Sequence, residues 1–66
     1  MYKNLDATEL VNLIVQEWNI RNSYPKNSWE WNDHDHNCYE IGNELRDRYG
    51  WKNEDFTHLY YSSVRE

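Results

Sequence analysis

Cysteine, proline and glycine are all scarce in this chain of 66 residues, which has one cysteine, one proline and two glycines. The single thiol, Cys38, excludes an intramolecular disulfide, and no apolar run approaches the ~18 residues that a transmembrane helix needs. The first six residues also lack the apolar segment of a signal peptide. These absences predict a cytoplasmic, intracellular protein whose cysteine stays reduced and which has no membrane partner.

Positive charge is the other shortage, because 12 acidic residues face only 7 basic ones, for a formal net charge of -5 at pH 7. Nucleic acids and anionic membranes bind proteins through lysine and arginine, so neither is expected as a direct partner. No Lys or Arg lies between residues 30 and 44. That stretch contains five carboxylates: Glu30, Asp33, Asp35, Glu40 and Glu44.

Aromatic residues are abundant instead, at 17% of the chain, although the mean hydropathy is only -1.22. Each aromatic side chain can bury ~150–250 Å², so a few of them can supply the core of a short domain. Disordered chains are poor in aromatic residues. We therefore predict one folded domain over residues 1–66.

Apolar residues recur at helical spacing in three segments, which predicts an all-α fold, a small three-helix bundle. The first helix is expected to follow Asp6, because Asp6 and Glu9 form a capping-box pattern. Its apolar arc covers about 220°, which is wider than contact with one neighbouring helix requires. This helix is therefore either central to the bundle, or part of its apolar surface contacts a second copy of the chain in a homodimer. Glu17 and Arg21 lie inside the arc at the spacing of a local ion pair.

A loop over residues 22–32 is expected after the first helix, because Pro25 and several polar residues interrupt the apolar pattern. Trp29 and Trp31 make this loop between helices 1 and 2 aromatic-rich. Two interpretations stay open for the tryptophans. They fold back and seal the core, or at least one of them is an exposed anchor for a partner.

The second helix is predicted to begin between residues 33 and 37 and to end at Tyr49, because Gly50 supplies a C-terminal stop. Gly42 lies in its apolar stripe, where the missing side chain would let another helix approach closely. The opposite side carries three carboxylates at i, i+4 and i+7: Glu40, Glu44 and Asp47.

A third, shorter helix is expected after Asn53, with Glu54 and Asp55 in the first turn, where negative charge is favourable. Residues 58–64 contain adjacent tyrosines, and a short strand is the alternative there. The predicted core combines the apolar faces of all three helices: Leu10, Ile14, Trp18, Ile41, Leu45, Phe56 and Leu59.

His34, His36 and Cys38 have the chemistry of zinc ligands. Alternate residues converge on a metal only if the backbone is extended, whereas a helix directs His36 away from the other two. An activated cysteine would also need a base and an oxyanion hole, and Cys38 is expected in the core. We therefore predict no metal, no cofactor and no enzymatic activity, and keep a small zinc-stabilised domain as the alternative function.

The predicted function is a small acidic protein-binding module, because opposite charge steers a basic partner and aromatic side chains hold the contact. By docking on a basic surface of a larger protein it would act as an inhibitor or modulator. If that surface normally holds nucleic acid, the carboxylates would mimic phosphates. The small, acidic, asparagine-rich chain is similar in composition to phage-encoded inhibitors of host enzymes or defence systems, which act inside the host cell. The candidate partner-binding residues are Trp29, Glu30, Trp31, Asp33, Asp35, Glu40, Glu44 and Asp47.

Overall fold

Three α-helices make up the computed structural model, which describes residues 2–64 of the chain. The helices are α1 (Ala7–Asn22), α2 (Trp29–Tyr49) and α3 (Asn53–Ser63). The predicted all-α three-helix bundle is confirmed, and residues 58–63 of the segment that could have been a strand form the C-terminal part of α3. Within the described range, no helix combines the length and the apolar character needed to cross a membrane.

Two helix ends that the sequence predicted are confirmed. The Asp6 carboxylate accepts a hydrogen bond from the Glu9 amide at 2.8 Å, and the Glu9 carboxylate accepts one from the Asp6 amide at 3.0 Å. This reciprocal capping box satisfies two amides that have no partner inside α1. Gly50 ends α2 with a φ of 69°, a left-handed conformation that glycine adopts without steric cost.

The predicted start of α2, between residues 33 and 37, is wrong. The Ser28 hydroxyl accepts a hydrogen bond from the Trp31 amide at 3.2 Å, so Ser28 is the N-cap and the helix begins at Trp29. Both tryptophans that the sequence assigned to the loop therefore lie in the first turn of α2. The connection between α1 and α2 keeps one aromatic residue, Tyr24.

The core lies mainly between α1 and α2. Phe56 and Leu59 of α3, which were expected in the core, are only half-buried and pack against its edge. The reason is that α3 is short and lies at one side of the other two helices, where no α3 residue becomes fully buried. The buried apolar residues are Leu10, Ile14, Trp18, Cys38, Ile41 and Leu45.

Aromatic contacts attach α3 to the rest of the molecule. A Cβ atom on the buried Gly42 would lie 3.6 Å from the Phe56 ring, an ordinary van der Waals distance, so this glycine faces a side chain of α3. The Phe56 ring also lies 5.0 Å from Trp51, centroid to centroid, and Tyr60 meets the edge of Trp18 at 5.1 Å. The position of α3 therefore depends on a few ring contacts and on hydrogen bonds such as that from the Asn22 side chain to the Tyr60 hydroxyl at 2.7 Å.

The wide apolar arc of α1 is used inside the chain. Val11, Leu13 and Val15 are partly buried and pack against the core, and α1 contacts both of the other helices. This arrangement favours the first of the two interpretations of the arc, a central helix. The homodimer through α1 stays a prediction.

We expect the substitution Leu45→Ala to lower the free energy of unfolding by ~2–5 kcal/mol, because Leu45 is 0% exposed and its removal leaves a cavity. That loss is large beside the ~3–10 kcal/mol expected for a chain of this length. Tyr61→Ala is the control, since Tyr61 is exposed and its loss should cost less than ~0.5 kcal/mol. Urea unfolding followed by circular dichroism measures both. A Leu45→Ala protein as stable as the wild type would contradict this core.

Candidate protein-binding face

The eight candidate residues all lie on α2, but the helix does not gather them on one surface. Residues four and seven positions apart share a side of an α-helix. Trp29, Asp33, Glu40 and Asp47 follow this spacing, at intervals of four, seven and seven residues, and all four are exposed. We call these four residues the acidic face.

Trp29 is the exposed member of the tryptophan pair, with 76% of its surface accessible to solvent. It occupies the first position of α2, one turn before Asp33. For this residue the structure excludes a role in sealing the core. A large exposed aromatic side chain beside carboxylates is typical of a residue that anchors a partner.

Trp31 and Asp35, by contrast, are turned towards α1. The Arg21 guanidinium lies over the Trp31 ring, 5.1 Å from its centroid, and donates a hydrogen bond to the Asp35 carboxylate at 2.8 Å. The Arg21 side chain is only 15% exposed. These two candidate residues therefore help to hold α2 against α1, since each of them contacts a largely buried cation.

Glu30 and Glu44 are half-buried and differ from the acidic face in their surroundings. Glu44 lies 3.7 Å from the Arg48 guanidinium, one turn further along α2. Glu30 lies in the first turn of α2, where a negative charge interacts favourably with the helix dipole. Both carboxylates thus have roles within the chain.

Glu17 is a contact residue whose partners the sequence did not reveal. Its carboxylate lies 2.8 Å from Nδ1 of His34 and accepts a hydrogen bond from the Asn37 side chain at 3.0 Å. The predicted local ion pair between Glu17 and Arg21 is wrong, because both side chains contact residues of α2 instead of each other. Their position inside an apolar arc was the available signal, since a polar residue there needs a partner on a neighbouring element.

The helical backbone of α2 separates the three proposed zinc ligands. His34 contacts Glu17, the exposed His36 lies 3.4 Å from Glu40, and Cys38 is buried in the core. Among the residues described, no three metal-ligating side chains cluster together. The geometry therefore gives the zinc-stabilised domain no support, and the absence of bound metal stays a prediction.

Burial controls the chemistry of Cys38. Loss of hydration raises the pKa of this thiol from 9.0 to about 12, and the nearby positive charge of Arg21 offsets only part of that rise. The thiol is therefore protonated at neutral pH. Because the thiolate is the reactive form, this environment is unlike that of a catalytic cysteine.

The acidic face is the part of the predicted site that stays exposed together on one side of α2. Comparisons of the chain with protein-family models, with curated proteins and with solved structures found no significant match. The assignment of a function therefore depends on the geometry and charge of the chain itself.

We expect Cys38 to react slowly with iodoacetamide while the protein is folded. At pH 8 a thiol with a pKa of about 12 forms ~1,000-fold less thiolate than one with a pKa of 9.0. Mass spectrometry at timed intervals should find alkylation at least ~100-fold faster in urea than in buffer. Because the pKa is raised, the contribution of Cys38 to stability is complete below pH 9 and is lost as the pH rises towards 12. Equal alkylation rates in both conditions would contradict the burial of this thiol.

Proposed function

We propose that this protein is a binding module that docks its acidic face on a basic surface of a larger protein. The observation that carries the proposal is that Trp29, with 76% of its surface exposed, shares a side of α2 with three exposed carboxylates. Aromatic residues dominate the energetics of many protein contacts, and carboxylates favour a partner rich in lysine and arginine.

The charge of the acidic face supports the proposal because the chain itself does little to neutralise it. Among residues 2–64, neither Asp33 nor Asp47 forms an ion pair, and Glu40 meets only the exposed His36, at 3.4 Å. The carboxylates that do pair with arginine, Asp35 and Glu44, are not part of the acidic face. A basic partner would therefore find carboxylates without a competing cation.

The spacing of the carboxylates favours a partner surface that normally holds nucleic acid. Asp33, Glu40 and Asp47 are seven residues apart, which is ~10.5 Å of rise along an α-helix. In a DNA strand, a phosphate and the third phosphate after it are ~10 Å apart along the helix axis. By occupying such a groove the protein would act as an inhibitor that mimics nucleic acid. Its small size and acidity, similar in composition to phage-encoded inhibitors, fit this role.

Neutralising the acidic face should slow association with the partner. The variant carries Asp33→Asn, Glu40→Gln and Asp47→Asn, and a pull-down from the source cell with wild-type protein supplies the partner. Surface plasmon resonance at two salt concentrations should show an association rate ~10-fold lower at low salt and a flatter salt dependence.

The matched control compares Glu40→Gln with Glu54→Gln, because both glutamates are exposed and each change removes one negative charge. Only Glu40→Gln should slow association. Folding should hardly change in any of these variants, since surface charges contribute little to stability. Identical association rates for wild type and the triple variant would contradict the proposed docking surface.

Replacing Trp29 by alanine should speed dissociation instead, with a loss of ~2 kcal/mol or more, which is ~30-fold in Kd. Tyr61→Ala is the matched control, because Tyr61 is also 76% exposed but lies on α3. The same surface plasmon resonance assay reports both dissociation rates. A Trp29→Ala protein that dissociates no faster than Tyr61→Ala would remove Trp29 from the proposed anchor position.

A further inference from the structure

A cleft between the three helices is a second feature of the described residues that could hold a ligand. It has a volume of about 220 Å³ and is open to solvent on one side. Gly42 and Arg46, which line it, lie on a different side of α2 from the acidic face. The apolar part of the lining comes from all three helices: Ile14, Trp18, Cys38, Gly42 and Phe56.

The floor of the cleft has the size and surface of a site for one aromatic ring. Gly42 contributes no side chain to the lining, and a Cβ atom there would lie 3.6 Å from the Phe56 ring, in ordinary van der Waals contact. Trp18 and Phe56 supply aromatic walls. An apolar protein cavity of ~150 Å³ can hold benzene, so about 220 Å³ accommodates a single ring with one substituent.

The rim of the cleft carries one cation that could bind an anionic substituent. Arg21 and Asp35 lie on the rim but neutralise each other at 2.8 Å. Arg46 lies over the Phe56 ring, 4.9 Å from its centroid, and donates one hydrogen bond to the Asn53 side chain at 3.2 Å. In the described part of the chain it forms no ion pair, so its remaining N–H donors are available to a carboxylate.

We propose that this cleft binds a small molecule consisting of one aromatic ring and a carboxylate. The ring packs on the floor beside Trp18 and Phe56, and the carboxylate accepts hydrogen bonds from Arg46. The apolar floor supplies affinity, because it removes the ring from water. The guanidinium supplies specificity, because it binds a carboxylate in a planar, two-bonded geometry.

Benzoate is the probe that tests the cleft, with the full-length protein labelled with ¹⁵N and observed by NMR. Saturable shifts are expected at the amides of Tyr39, Gly42 and Arg46 and at the Trp18 indole. For so small a ligand the Kd should be in the range of about 1–10 mM. Shifts that do not saturate, or shifts centred on the acidic face, would overturn the proposal.

Two variants separate the contribution of charge from that of shape. Arg46→Gln should weaken benzoate binding about tenfold and leave the neutral analogue benzyl alcohol unaffected, whereas Arg48→Gln, which removes the same charge one half-turn away, should change neither. Gly42→Ala should weaken both ligands several-fold by placing a methyl group on the floor. Its melting temperature should not fall, because alanine favours helix and the methyl makes only ordinary contacts with Phe56.

Each result decides one part of the proposal. The role of Arg46 would be overturned if Arg46→Gln and Arg48→Gln changed benzoate binding equally. The choice of a carboxylate ligand would be overturned if benzyl alcohol bound the wild type as tightly as benzoate. Unchanged binding in a folded Gly42→Ala protein would remove the ring from the floor of the cleft. The measurements use no partner protein, so their outcome is independent of the proposed docking function.

Discussion

The rotation of α2 about its own axis is the constraint on which the rest of this structure depends. The buried apolar contact between α1 and α2 sets it coarsely, because Ile41 and Leu45 are 0% exposed against α1. Two polar contacts set it finely: Arg21 reaches Asp35, and Glu17 reaches His34 and Asn37. These contacts restrict the rotation of α2, because another rotation would leave the polar side chains between the helices without hydrogen-bond partners. Among residues 2–64, every buried side-chain nitrogen or oxygen atom has a partner.

That rotation gives the two tryptophans opposite roles. Residues two positions apart on a helix point about 200° away from each other. With Trp31 turned towards the cation of α1, Trp29 has to face solvent, and it does so with 76% of its surface. The same rotation exposes Asp33, Glu40 and Asp47 on the side of α2 that carries Trp29. The proposed docking surface is thus a consequence of how α1 and α2 pack.

The small size of the chain explains the cleft. A domain this short cannot enclose all of its apolar surface, and α3 contributes rings at the edge of the core but no fully buried side chain. The Phe56 ring packs over Gly42 at an ordinary contact distance, while the space beside it is left open between the helices. The acidic face and the cleft therefore have separate physical origins, the first in the rotation of α2 and the second in the partial coverage by α3.

The sequence by itself determined the features that depend on local patterns: three helices, the Asp6 cap, the stop at Gly50 and the core-facing residues of α1 and α2. Helical periodicity and capping chemistry act over a few residues, so they can be recognised without the fold. The start of α2 at Trp29 is local as well, because the Ser28 cap acts within three residues, although Pro25 and its polar neighbours favoured a loop there. Only the tertiary structure decided that Asp35 is paired while Asp33 is not. That outcome depends on which side chains of α1 face α2. Arg21 and Asp35 are 14 residues apart in the sequence, so helix packing, and no local pattern, brings them together.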